Sequence, residues 1–324
     1  MDTSELPTVV YIAGYGRSGS TVLDLILGAS DSIAAVGELF MFFRPSETRN
    51  CSCGSPVAEC PFWSEVRRVY QARHLVDSRL YVPGNKGDRG FRFRQKIEGM
   101  FVPLWPSPEV RDEYVRHERA LLAALEHVSG RHMIVDSSKT AVEVAWRPTA
   151  LMQYCGAKVK LIHLVRDGRA VMWSVMRGCN RKLEQRDADP RLSFPRLRSV
   201  LGWTLANLAA WQQGRQLPKE NVLAVSYEDL ARDPAAELTR IGQFLELDLS
   251  PVIARIEARE PLAAGHSISG NRLRHTGLVE IREDDEWRGR LPWSARLVYW
   301  LLGWPAHLMF VRSRRPALVP AQKV

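Results

Sequence analysis

The 324-residue chain has no long uninterrupted apolar run, no internal repeat and no low-complexity tract. A membrane-spanning helix needs about 20 apolar residues in a row. The most apolar stretch, Leu291–Val311, is interrupted by Arg296, Pro305 and His307. It therefore reads as a core helix, with an interfacial membrane contact as the lesser reading. Five cysteines form an odd set in a chain this long, which does not look like a disulfide-built scaffold. The N-terminus, MDTSELPTVV, carries acidic residues where a secretory leader would carry lysine or arginine, so no cleavable signal is expected and the default setting is cytoplasmic and reducing. Charge of one sign is in excess, however. A net charge of +9 calls for an acidic partner: a nucleotide, a sulfated or phosphorylated sugar, nucleic acid or a membrane surface.

Another absence is more informative. In Val9–Leu27, VVYIAGYGRSGSTVLDLIL, a short apolar strand turns through Gly14, Gly16, Ser18 and Gly19 and continues as a helical pattern. Strand, glycine turn and helix in that order make an anion cradle, with backbone N–H groups and the positive end of the helix dipole facing inward. The spacing matches the nucleotide loop G-x-x-x-x-G-K-[ST] at Gly14, Gly19 and Thr21, but Ser20 stands where the lysine belongs. The nearest cation is Arg17. The loop suits an anion and is a poor fit to Mg2+-dependent ATP hydrolysis.

Further apolar runs mark the other strands: Ser32–Val36, His132–Val135, Val159–Val165 and Val222–Val225. Amphipathic helices are expected over Glu109–Val128, Val200–Gly214 and from Asp233-Pro234 onward. Strands alternating with helices give an α/β domain with a mainly parallel central sheet, in which ligands gather outside the carboxyl ends of the strands. Three residue groups fall at such ends: Gly37-Glu38, the DSSKT run with Lys139, and Arg166 followed by Asp167, a good helix N-cap. Ser174 lies two turns along that last helix, on the face of its start. Each has a plain alternative, namely a helix-capping glutamate, a helix-start lysine and a surface arginine.

Cys51, Cys53 and Cys60, in CSCGSPVAECPFW, sit in one compact loop. C-x-C-x6-C is not the paired spacing of a standard zinc site, so a redox-sensitive or merely packed loop is the first reading. Zinc held by these thiolates, with His74 as fourth ligand, is the second. Ser78–Met100 and Arg177–Arg198 are basic, loop-like stretches that could serve as lids or ligand-binding arms. His163, inside a strand, reads as a packing residue.

Taken together, GYGRSGST after the first strand, VGEL downstream and LVRDGRAVMWS later resemble the signatures of the sulfotransferases that use 3′-phosphoadenosine 5′-phosphosulfate (PAPS). SYEDL-x-x-DP, a helix ending in FLEL, and SGNRLR followed by EDDEWRGRLP are similar to bacterial members. The resemblance implies one sulfotransferase domain over residues 1–324 with the family's P-loop-like fold, and leaves residues 44–100 and 179–195 as divergent inserts. It implies PAPS as co-substrate, with no metal required. Arg17, Ser18, Gly19, Ser20 and Thr21 would hold the 5′-phosphosulfate, and Arg166 and Ser174 the 3′-phosphate. Tyr227 would lie near the nucleotide, and Asn271, Arg272 and Arg274 would come from a loop closing over it. Glu38 matches the position of a catalytic base, with His266 as runner-up, and Lys139 corresponds to a lysine near the transferred group.

The acceptor expected from this resemblance is a small molecule, glycan or glycolipid hydroxyl, not nucleic acid. Peripheral membrane contact is allowed, and oligomeric state is open. The competing readings are a P-loop small-molecule kinase and a non-catalytic basic module that binds nucleotides or other anions.

Overall fold

The computed structural model describes residues 5–44, 49–74, 102, 105, 107–140, 144–184, 194–262, 265–270, 272–275, 281 and 283–312. All of the basic stretch Ser78–Met100, together with residues 185–193 and Asn271, lies outside them.

Five strands form one sheet: β1 (Thr8–Ala13), β2 (Ile33–Ala35), β3 (Met133–Asp136), β4 (Val159–Val165) and β5 (Val222–Ser226), in the order β2-β3-β1-β4-β5. Every pairing is parallel, with Val10 opposite both Val135 and Lys160. β1 and β4 are apolar almost throughout because helices cover both faces, the pattern that a parallel sheet requires. Lys160 is the exception. It is buried in β4, but its Nζ leaves through the strand end to the Phe244 carbonyl and the Glu246 carboxylate, both at 2.6 Å.

On one face lie α1 (Ser20–Gly28), α7 (Tyr227–Arg232), α8 (Pro234–Leu245) and α9 (Ser250–Glu257). They pack Leu23, Ile26, Leu230, Leu238 and Ile241 against Val10, Ile12 and Ile162. The other face carries α2 (Pro61–His74), α3 (Pro108–Ser129) and α4 (Arg147–Gln153), covering Val9, Tyr11 and Leu161. Beyond β4, α5 (Gly168–Glu184), α6 (Pro195–Gly214), α10 (Glu286–Arg290) and α11 (Trp293–His307) make a third cluster around Trp203, Trp287 and Tyr299.

Three elements depart from the sequence expectation. Leu39–Phe43 is a 3-10 turn and not an α-helix. The basic run from Arg177 to Glu184 continues α5, and Pro195–Arg198 already belongs to α6, so the two ends of that stretch are helical and not loop. α11 is only half a core helix: Ala295, Tyr299, Gly303 and Ala306 fall on one face and are buried, whereas Trp293 is 77% and Leu301 71% exposed on the other. No described helix is long and apolar enough to cross a membrane.

A buried charge network fixes the rim beside β3. Arg147 Nε donates to Asp136 Oδ2 at 2.9 Å, while its two terminal nitrogens pair with Glu118. The other Asp136 oxygen accepts the backbone N–H of Leu39 (3.2 Å) and of Ser138 (2.9 Å). Both oxygens of a fully buried carboxylate are thereby used. The chain on either side of Glu38 and Lys139 is held by the same side chain.

Candidate functional site

The glycine loop is shaped by two close approaches. A Cβ at Gly14 (φ +130°) would lie 2.3 Å from the Leu164 carbonyl oxygen, and one at Gly19 (φ +95°) 2.3 Å from the Tyr227 ring. Both positions also demand left-handed backbone, which glycine adopts without penalty. Arg17 takes a positive φ of 73° between them. The loop ends at Gly19, the N-cap of α1, where no side chain caps the helix. The first-turn N–H groups therefore lack the usual side-chain acceptor. Ser18 is buried and its Oγ has no partner among the described residues. An orphaned, buried hydroxyl at the uncapped start of a helix fits a phosphate or sulfate oxygen, so the residues present suit an anionic donor.

Arg166 joins this loop from the end of β4. Its Nη1 donates to the Arg17 carbonyl at 2.9 Å, its Nη2 pairs with Asp284 at 3.1 Å, and its guanidinium lies over the Tyr227 ring, 4.6 Å from the centroid. Asp167 caps α5 through the Arg169 N–H (2.8 Å). A Cβ at Gly178 would lie 3.7 Å from Arg17 Nη2, so Arg17 extends toward α5. Ser174 is one turn before Gly178 on that same helix face. Tyr227 opens α7 after the cap of Ser226, whose side chain accepts from the Asp229 N–H. Beside it Glu228 is pushed upward in pKa by burial, opposed by the Asp167 N–H that it accepts. Arg166, Tyr227, Asp284 and Trp287 line a cleft of about 760 Å³ at this rim.

Glu38 stands three residues beyond β2. It does not cap the turn after it. Its Oε1 pairs with Lys139 Nζ, and its Oε2 accepts from Ser269 Oγ at 3.2 Å. Lys139 does not start a helix. It sits in a turn at φ 67°, with its carbonyl accepting from Tyr11 Oη at 2.6 Å. Asp24, on α1, is buried nearby and accepts from Ser267 Oγ (3.1 Å); burial pushes its pKa up to about 7.

Loop 265–270 reaches both groups. A Cβ at Gly270 would meet Thr21 Oγ1 at 3.5 Å, and Ser269 holds Glu38. Arg274 is buried and uses its guanidinium on the carbonyls of Gly270 (2.5 Å) and Asn50 (2.9 Å). Burial lowers its pKa, with Glu38 acting in the opposite direction. Arg272 lies in the 3-10 turn Arg272–His275, and Asn271 falls outside the described residues. His163 is buried and hydrogen-bonded to Asn207 at 3.0 Å. His266 faces Cys51 and Cys60 instead of the Glu38 rim. Sequence reasoning did not single out Asp284, Ser269 or Asp24 as site residues. Ser269 was within reach, because it begins the SGNRLR run.

A parallel sheet with β1 at its centre, a glycine loop leading into α1 and cationic groups gathered at the carboxyl edge is the layout of the P-loop-like α/β fold. The sulfotransferase domain family matches residues 7–263, and the chain belongs to that family: it is a sulfotransferase. No curated protein sequence matches it. Among solved structures it is similar to the sulfotransferase domain of the olefin synthase from Synechococcus PCC 7002 (20% identity, 94% of this chain and 96% of that one, TM-score 0.51). It is also similar to a sulfotransferase domain from the curacin biosynthetic pathway (17%, 92% and 98%, TM-score 0.49) and to sulfotransferase STF9 from Mycobacterium avium (15%, 95% and 77%, TM-score 0.46). Membership sets aside the kinase and the non-catalytic module, and it implies PAPS as donor.

Proposed function

We propose that the chain moves a sulfuryl group from PAPS to a hydroxyl of a small acceptor, a carbohydrate, lipid-linked molecule or secondary metabolite, with Glu38 as general base. The observation that carries this reading is the convergence of Arg17, Arg166 and Tyr227 at one rim, with Glu38 and Lys139 on the same edge of the sheet. In the proposed complex the loop N–H groups, Ser18 and Arg17 neutralise the 5′-phosphate, and Arg166 with Ser174 takes the 3′-phosphate. Tyr227 lies against the adenosine in the cleft.

The transfer forms a bond from the acceptor oxygen to sulfur and breaks the bond from sulfur to the phosphate oxygen. The acceptor proton goes to Glu38, and the phosphate keeps the electron pair. A sulfuryl group carries less charge than a phosphoryl group, so arginine and amides can balance the leaving phosphate. Positioning and fixed charge supply most of the acceleration. The base adds about 10²–10⁴-fold. Lys139 steadies Glu38 before the acceptor arrives and lies close enough to the same edge to meet the transferred group.

Thermal-shift titration of the full chain with 3′-phosphoadenosine 5′-phosphate, against ATP with Mg2+, tests the donor half. The bisphosphate nucleotide should raise the melting temperature and ATP–Mg2+ should not. The reverse result would overturn it. Mass spectrometry of acceptor panels incubated with PAPS then identifies the acceptor class through the added sulfuryl mass.

A further inference from the structure

Nothing in the transfer reaction uses the cysteine loop. The sulfurs of Cys51, Cys53 and Cys60 and a ring nitrogen of His266 all lie within 4.8 Å of one another. Cys60 Sγ is 3.3 Å and Cys51 Sγ 3.7 Å from His266 Nδ1, and Cys53 Sγ is 3.7 Å from Cys60 Sγ. A tetrahedral zinc site has Zn–S near 2.3 Å and Zn–N near 2.0–2.1 Å, which places its ligand atoms about 3.4–3.8 Å apart. The two 3.7 Å contacts have the edge length of such a tetrahedron, the 3.3 Å contact is slightly shorter, and a small closing of the remaining distances, all within 4.8 Å, completes it. We propose that Cys51, Cys53, Cys60 and His266 bind one structural zinc ion, which ties the cysteine loop to the segment 265–270.

The local chain is built for this convergence. Gly54 has φ +95°, and its N–H returns to the Cys51 carbonyl at 3.0 Å. This tight turn swings Cys53 back beside Cys51. Cys60 directly precedes α2 and is held by its N–H to the Pro56 carbonyl at 2.9 Å. His266 is positioned from outside. Its ring stacks on Phe62 (4.9 Å, 4° between planes), and its carbonyl accepts from Trp63 Nε1 at 2.7 Å. Such outer contacts orient a metal-binding imidazole.

Three sulfurs and an imidazole are a soft donor set, suited to zinc and not to Mg2+ or Ca2+. Four protein ligands leave no open position, which makes the site structural. The thiol protons go to solvent as the thiolates bind. A Cys53–Cys60 disulfide would need the sulfurs at about 2.0 Å and would leave Cys51 and His266 without a role. His74, the fourth ligand considered from sequence, ends α2; the length of that helix puts it about 20 Å from Cys60.

The ligands are interleaved with the contacts that shape the rim. Ser52, between two cysteines, accepts the Ser267 N–H on its hydroxyl (2.8 Å) and donates its own N–H to the Ser267 carbonyl (3.2 Å). The next residue, Ile268, donates to the Val36 carbonyl at 2.9 Å, and Ser269 holds Glu38. The ion is therefore three residues from a direct partner of Glu38. This site stands on its own geometry and does not depend on which donor or acceptor the rim takes.

Elemental analysis of the full chain, purified under reducing conditions without added metal, should give about one zinc per chain. Refilling stripped protein with cobalt(II) should give thiolate charge-transfer bands and the d–d bands of a tetrahedral site. His266→Ala and Cys60→Ser should weaken zinc binding at least tenfold in competition with a chromophoric chelator, whereas His74→Ala should leave it unchanged. Stripping the ion should speed amide exchange at residues 265–270 but not in β5. Three results would overturn the proposal: less than about a tenth of an equivalent of zinc with no tetrahedral cobalt spectrum; metal binding that survives His266→Ala but not His74→Ala; or exchange at 265–270 indifferent to the metal. The cobalt spectrum of the unmodified chain decides the question even if a cysteine variant fails to fold.

Discussion

Arg166 Nη1 donates a 2.9 Å hydrogen bond to the backbone carbonyl of Arg17, although 149 positions separate them in sequence. The contact is between a strand end and a loop, so it fixes how the exit of β4 meets the exit of β1. Two cationic side chains are thereby brought to one rim without touching each other's charge, because the bond uses a carbonyl and not a guanidinium.

Arg166→Ala removes that bond, the ion pair to Asp284 and the stacking on Tyr227. Affinity for 3′-phosphoadenosine 5′-phosphate, read by calorimetry, should fall about 10- to 150-fold, the equivalent of one charge-assisted hydrogen bond. Arg166→Lys should recover little, since a lysine cannot bond Arg17 and Asp284 from one planar fork. Unchanged affinity would remove Arg166 from the phosphate site.

Glu38→Gln keeps the shape beside Lys139 and Ser269 and removes the basic oxygen. Turnover should drop by about 10²–10⁴-fold while affinity for the bisphosphate nucleotide changes by no more than a few-fold. Equal loss of both would assign Glu38 to binding or to the integrity of the rim.

Gly19→Ala places a methyl group 2.3 Å from a Tyr227 ring carbon at a backbone angle of +95°. The strain should cost about 1–3 kcal/mol, seen as a lower melting temperature, and nucleotide binding should weaken because the loop must shift. Combining it with Tyr227→Ala should return only the steric part; full recovery of stability would show that the backbone angle carries no penalty.

Asp24 provides a pH signature. Its carboxyl is pushed up to about 7 from an ordinary 3.8, chiefly by burial, with hydrogen bonds from Ser267 and Ser137 pulling the other way. The folded chain therefore holds this proton more tightly than the unfolded one. The stability that the group contributes is complete below about pH 4, is lost as pH rises to about 7, and is constant above that. Asp24→Asn cannot titrate, so its melting temperature relative to the native chain should climb between pH 4 and 7 and then level off. A difference independent of pH would contradict the raised value.

The strands were readable because a sheet covered on both faces needs unbroken apolar runs, and Val159–Val165 was located to the residue. The glycine loop was readable for a similar reason: few sequences satisfy two positive φ angles and two close approaches at once. What escaped depends on long-range contact. His266 lies 206 positions from Cys60, and the spacing of the cysteines carries no trace of it. Asp284 pairs with Arg166 across 118 positions. The exposed side of α11 escaped for another reason, since tryptophan and leucine raise the hydrophobicity of a helix whichever way they face. Asp24 is a polar residue in an otherwise apolar helix, and only the surrounding burial shows how its proton is held.

Because all five strands run the same way, every one of them delivers its following segment to a single edge of the sheet. Segments that exit there can lengthen, shorten or be exchanged without disturbing a ladder hydrogen bond. A change in the length of such a segment therefore reshapes the rim while leaving in place the frame that brings Arg17 and Arg166 together.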